Sequence, residues 1–208
     1  MAGTSGQVSL AASQVEVSPD PCNALTNKPG GLFVPAVEIE AGPGLTVTAP
    51  ASGGCPATWQ IAVDASWAQT ASLDFNHALN GADQAWERIS EIPPLTIPRA
   101  GIWEVDYNVR GFVALPAGTA ASEYVSAGIY KNGALIVGTE GLAAGAYGAG
   151  ITIQGTGGIS FLHSFEAGDT MELWAHRIGQ TGTAAVMSNP DGRTRLMAHW
   201  LAPAGDTP

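Results

Sequence analysis

The chain is predicted to be all-β, a jelly-roll β-sandwich head at residues 71–208 preceded by an extended, strand-poor N-terminal arm at residues 1–70. Three observations predict this. Glycine is abundant, 27 of 208 residues, while charged residues make up only 12%; a helix-rich protein would clothe its exposed faces with many more Lys, Glu and Arg. Apolar and polar residues alternate with period two in several short segments, and no helical period persists over a long window. Turn-forming residues separate those segments at a spacing that suits about eight or nine short strands.

At 208 residues and 45% hydrophobic, the chain can bury roughly 70% of its unfolded surface without needing disulfides or a structural metal. Eight basic against eighteen acidic residues give a net charge of −10, which argues against binding a phosphate backbone, so nucleic acid is not an expected partner. No apolar run approaches the ~18 residues of a membrane span, and no Lys or Arg precedes Lys28, so neither a membrane partner nor a secretory signal is expected. Cys22 and Cys55 are the only cysteines, and no histidine lies near either in sequence. A zinc site needs more ligands than that pair supplies, which leaves a disulfide and free thiols equally open. No cofactor is expected.

Residues 1–15 lack aromatic anchors and need something to hold them. Residues 18–35 mix turn formers (Pro19, Pro21, Pro29, Gly30, Gly31) with short apolar anchors (Leu25, Leu32, Phe33, Val34), the pattern of a chain lying along another surface. Leu45 and Val47 alternate with Thr46 and Thr48, and a second short strand is expected over residues 58–64. Two such strands cannot bury a core alone, so partner chains are expected to complete the region. The arm gives way to the head between Asp64 and Ser72.

In the head, the clearest strand runs from Ile102 to Val113, with Trp103, Val105, Tyr107, Val109 and Val113 on one face and Glu104, Asp106, Asn108 and Arg110 on the other. Asn132-Gly133 predicts a tight hairpin, because both residues tolerate the positive φ of a type I′ turn. Residues 138–158 are rich in Gly and Ala, as suits a strand where backbones approach closely. Residues 160–177 predict a second hairpin: Phe161 and Phe165 precede the turn Glu166-Ala167-Gly168-Asp169, and Met171, Leu173 and Ala175 then alternate with Glu172, Trp174 and His176. Ala184 to Met187 form a further strand, Asn189 to Gly192 a turn, and Thr194 to Leu201 a last strand. That strand carries Leu196, Ala198 and Trp200 on one face and Met197, His199 and Leu201 on the other, which predicts a central or subunit-contact position.

Two resemblances add to this reading. Asn23-Ala24-Leu25-Thr26 followed by Gly30-Gly31-Leu32-Phe33-Val34-Pro35 resembles a short module of tailed-phage fibre and other virion proteins, and covers under a tenth of the chain. The strand opening at Pro98-Arg99-Ala100-Gly101-Ile102-Trp103, the Lys131-Asn132-Gly133 turn, Phe165-Glu166-Ala167-Gly168-Asp169 and a closing apolar strand resemble, in that order, the globular heads of complement component one-q and its tumour-necrosis-factor-like relatives. The second resemblance implies a trimeric jelly-roll head. Here Ala198-His199-Trp200 replaces the family's aromatic-Gly step in the last strand.

Catalytic and metal motifs are few. His163 and His176 would face each other across the expected hairpin, and an imidazole from each subunit could meet at a trimer axis. Glu104 and Asp106 share a strand face and could serve as a glycosidase acid pair, although a solvated face is the simpler reading. There is no Gly-x-Ser-x-Gly elbow and no phosphate-binding glycine loop. The expectation is a non-enzymatic phage virion protein, made in the host cytoplasm and resident in the virion. It would be a homotrimer held to other virion proteins through Leu25, Leu32, Phe33 and Val34, with a head that binds host-surface receptor or glycan as a fibre tip. Capsid decoration (head fibre or cement) is the alternative, and a cell-wall glycan hydrolase a further one. The candidate trimer-interface residues are His163, His176, His199, Trp200 and Tyr107.

Overall fold

The computed structural model describes residues 26–29, 31–33, 39–42, 44–49, 59–63 and 66–204. Contacts divide the chain into two units, Met1–Glu40 and Ala41–Pro208. Within the first, β1 (Thr26–Lys28) and β2 (Gly31–Phe33) pair antiparallel, Asn27 opposite Leu32. The expected extended module thus carries a short hairpin.

The second unit opens with another hairpin, β3 (Leu45–Thr48) and β4 (Gln60–Val63), close to the expected positions. Its register sets Leu45 opposite Val63 and Val47 opposite Ile61, which puts four apolar side chains on one face; Ile61 is 60% and Val63 74% exposed. Twelve strands follow: β5 (Trp67–Gln69), β6 (Phe75–Ala78), β7 (Glu87–Arg88), β8 (Leu95–Thr96), β9 (Gly101–Ala114), β10 (Ala121–Lys131), β11 (Ala134–Leu135), β12 (Gly141–Gly148), β13 (Thr152–Phe165), β14 (Thr170–Ile178), β15 (Thr183–Ser188) and β16 (Arg195–Ala202). They form two six-stranded sheets, and no helix occurs among the described residues. β5 pairs with β16, so the head sheet reaches back to Trp67, within the stretch from Asp64 to Ser72.

In the first sheet β9 is central. β13 runs antiparallel along its whole length on one side, while β16 covers the lower half and β15 the upper half of the other; β5 and β6 extend these. The second sheet is centred on β10 and β14, with β11 and β12 beside β10 and β7 and β8 beside β14. Along the chain, β9 lies in the first sheet, β10 and β12 in the second, β13 in the first, β14 in the second and β16 in the first. That repeated crossing between facing sheets is the jelly-roll path.

The core fills the space between the sheets. Trp103, Val105, Tyr107, Val109 and Val113 of β9 face Val125, Ala127 and Ile129 of β10 and Met171, Leu173 and Ala175 of β14. Each large side chain buried there stabilises the fold by about 1.5–3 kcal/mol relative to exposure. Tyr107 is part of this core: its hydroxyl lies 2.5 Å from the Thr139 carbonyl oxygen and 3.0 Å from that of Ala127, and burial, with the Glu140 charge, pushes its pKa up to about 12. Where β12 meets β13 the sheets come too close for side chains. A Cβ on Gly157 would sit 2.1 Å from the Leu142 carbonyl oxygen, so only glycine fits. The Gly/Ala-rich stretch expected to hold one strand is thus two, in different sheets, touching through their small residues.

The second predicted hairpin is corrected. β13 and β14 lie in different sheets, and residues 166–169 form a corner between them. The corner is locked from outside. The Asp169 carboxylate accepts from the Glu166 N–H (2.7 Å) and from Asn132 Nδ2 (2.7 Å), and lies 3.0 Å from Lys131 Nζ. Asn132 Oδ1 accepts in turn from the Thr170 N–H (2.9 Å). The Asn132-Gly133 turn, at φ 51° and 83°, is the type I′ hairpin the sequence predicts, and it doubles as the clamp on this corner.

Candidate functional site

Alternation on β9 sends every second side chain out of the first sheet, away from the core. Register then assembles that outer face in rows. Leu162 of β13, Glu104 of β9, His199 of β16 and Trp67 of β5 stand side by side; Ser160, Asp106, Met197 and Gln69 form the next row. Leu162 is 63%, Trp67 60% and Leu201 51% exposed, large for apolar residues on a regular sheet. Within the rows the Trp67 and His199 rings stack, centroids 6.4 Å apart at 24°, and Ser160 Oγ donates to Glu104 Oε1 at 3.3 Å. The nearest ligand atoms of Glu104, Asp106 and His199 all lie within 4.8 Å of one another.

The outer face of the second sheet carries an aromatic cluster. Tyr130 and Trp174 stack at 4.3 Å, and Trp86 meets Tyr130 edge-on at 5.8 Å and His176 at 4.4 Å. Gly128 leaves room for the Trp86 ring. Trp174 Nε1 donates to Glu172, which also pairs with Arg88, and His176 Nε2 lies 2.9 Å from Glu140. Trp174 therefore faces outward, but much of its surface is covered by its neighbours.

Of the five residues expected at a trimer interface, His199 alone stands exposed on an outer face. Tyr107 and Trp200 point into the protomer's own core; Trp200 Nε1 donates to the Ala100 carbonyl, and the Arg99 guanidinium lies over its ring at 3.9 Å. Their burial needs no partner chain. His163 is opposite Trp103 in register and so faces the inside of the sandwich, edge-on to Phe165 and lining a 410 Å³ cavity with Lys131 and Val137. Burial and the Lys131 charge hold its pKa below the ordinary histidine value, against an opposing pull from Asp169. His176 lies in the other sheet beneath Trp86, so the two imidazoles do not meet. An apparent hairpin across residues 160–177 put them on neighbouring strands; a corner between sheets carries the same local turn chemistry. Leu32 and Phe33 lie on β2, while Leu25, Val34, Cys22 and Cys55 fall outside the described residues.

The convergence of Glu104, Asp106 and His199 was half visible in sequence. Period two put Glu104 and Asp106 on one face, but only the pairing of β16 with β9 brings in His199.

No protein-family model matches the chain, and no curated protein matches it in sequence. Among solved structures, the Eiger TNF from S. frugiperda is similar at 12% identity, over 68% of this chain and 96% of that one, with a TM-score of 0.35. By its own topology the second unit is a jelly-roll β-sandwich.

Proposed function

We propose that the chain is a non-enzymatic virion structural protein of a tailed phage, a homotrimer whose N-terminal module attaches to the particle and whose head binds the host surface as a fibre tip. The observation that carries the self-association is the outer face of the first sheet. Trp67 and Leu162 lie exposed at the two ends of the row that also holds Glu104 and His199, with Leu201 exposed and Met197 half-buried nearby on β16, and large apolar side chains gathered on one exposed face mark an interaction surface. The four-residue apolar face of β3 and β4 supports the same reading, since an isolated two-stranded ribbon is marginal without further cover. The attachment role rests on the resemblance of residues 23–35 to virion modules.

Capsid decoration is the second reading, since the residues 23–35 that resemble virion modules would serve to grip a shell as well as a tail. The hydrolase reading has less support. Glu104 and Asp106 stand on an open sheet face, and the cavities described, the 410 Å³ one beside His163 and a 290 Å³ one at Leu115 and Gly182, hold neither. Adsorption of the purified protein to host cells, with antibody labelling of intact particles, tests the proposal. Saturable adsorption and label at the tail are expected; label spread over the capsid with no adsorption would favour decoration.

A further inference from the structure

We propose that Glu104, Asp106 and His199 form a binding site for one divalent first-row transition ion, of the Zn²⁺ or Mn²⁺ class, on the outer face of the first sheet. Two carboxylates two residues apart on β9 project from the same face, and β16 pairs so that His199 stands directly opposite Glu104. Their ligand atoms lie within 4.8 Å of one another, and small side-chain rotations bring such donors to the ~2.0–2.2 Å that an ion requires. One imidazole nitrogen with carboxylate oxygens suits a borderline transition ion, whereas Ca²⁺ and Mg²⁺ take oxygen alone.

Three further features point the same way. The Trp67 ring lies alongside the His199 ring, and Ser160 Oγ donates to Glu104 Oε1, the hydrogen-bonded outer support that metal-ligating carboxylates use. Among the described residues no Lys or Arg forms an ion pair with either carboxylate, although Glu123, Asp169, Glu172 and Asp191 each have one. All the donors sit on paired strands rather than loops, so little order has to be gained on binding. Met197 stands across from Asp106, so β16 offers no second donor there, and because this face is also the proposed subunit contact the remaining coordination positions fall to water in the protomer or to a neighbouring subunit in the trimer. Every donor comes from one chain, so the site does not depend on trimer formation.

Isothermal titration of the tag-free full-length chain with Zn²⁺, and separately with Mn²⁺, tests this. One ion per chain is expected. Because loss of an outer-shell partner changes affinity about 10–100-fold, Ser160→Ala should weaken binding by about tenfold, and Glu104→Gln, Asp106→Asn and His199→Gln should each weaken it by more. Glu166→Gln, on the remote corner, should bind as the unaltered protein does. These side chains are at least partly exposed, and circular dichroism verifies that each variant folds. Absence of a one-to-one phase, or its persistence in a variant lacking all three donors, would place any bound zinc on other groups such as the Cys22 and Cys55 thiols and overturn the proposal. Light scattering on the same samples keeps this result separate from the oligomeric state.

Discussion

Asp169 and His163 sit near one lysine, whose charge lowers the pKa of both. Burial alone would raise the Asp169 carboxyl, but hydrogen bonds from Asn132, the Glu166 N–H and Lys131, with the lysine's charge, hold it below its ordinary value. Its folded pKa is therefore the lower one, so its stabilisation is complete above the unfolded value of 3.8 and is lost as pH falls through the folded value. His163, lowered chiefly by burial and then by Lys131, takes up its proton later in the folded state than in the unfolded chain. Its contribution is complete above 6.5 and declines as pH drops below that. The thermal midpoint should thus fall in two stages on acidification, below about pH 6.5 and again below about pH 4. His163→Gln should reduce the first stage and Asp169→Asn the second; a midpoint flat from pH 7 to pH 5 in the unaltered chain would contradict the assignment. A second polar tie has no such sequence signal. Arg177 Nε donates to Glu123 at 2.7 Å, and its Nη atoms reach the Leu79 and Gly182 carbonyls, buried between β10, β14 and two loops. Glu123→Ala leaves that guanidinium unpaired and should cost about 3–5 kcal/mol in a denaturant titration. Nothing in the local pattern marked Glu123, because its partner lies 54 residues away.

At the scale of elements, what was legible followed from period and turn chemistry. The alternation from Ile102 to Val113 fixed both the existence of β9 and the face that Trp103, Val105 and Tyr107 bury. Asn132-Gly133 fixed its hairpin. What stayed hidden was which strand pairs with which. Phe165 and Met171 flank a turn that looks like a hairpin, yet β13 pairs with β9 and β14 with β10. A four-residue turn has the same residues whether the chain returns along its own sheet or crosses to the facing one; the deciding term is burial of Phe161, Phe165, Met171 and Leu173 from two sides of one core. The composition of residues 138–158 foretold a close approach without saying between what. Gly157→Val tests that contact. A side chain where the Leu142 carbonyl lies forces β12 and β13 apart, and the expected loss is about 1–3 kcal/mol or more. Gly168→Ala meets no atom within 4 Å and, at φ 91°, should cost only about 1 kcal/mol of backbone strain. Comparable losses for the two would argue against the seam.

For the whole molecule, the outer face of the first sheet joins the fold to the proposed role. It is the place where a regular sheet leaves Trp67, Leu162 and Leu201 in water, and His199 is the one expected interface residue that lies on it. A heterologous contact that uses this face once per subunit and closes on itself gives a ring, and three copies make the smallest ring beyond a dimer. Charges placed there should open the ring without unfolding the protomer, because none of these side chains belongs to the buried core. The most direct test is the solution mass of the full-length chain at micromolar concentration by light scattering, alongside Trp67→Glu/Leu162→Lys. About 64 kDa is predicted for the unaltered protein, three times the 21.2 kDa chain, with a fall to the protomer mass and an unchanged circular dichroism spectrum in the double variant. A protomer mass for the unaltered chain, or a trimer indifferent to both substitutions, would contradict it.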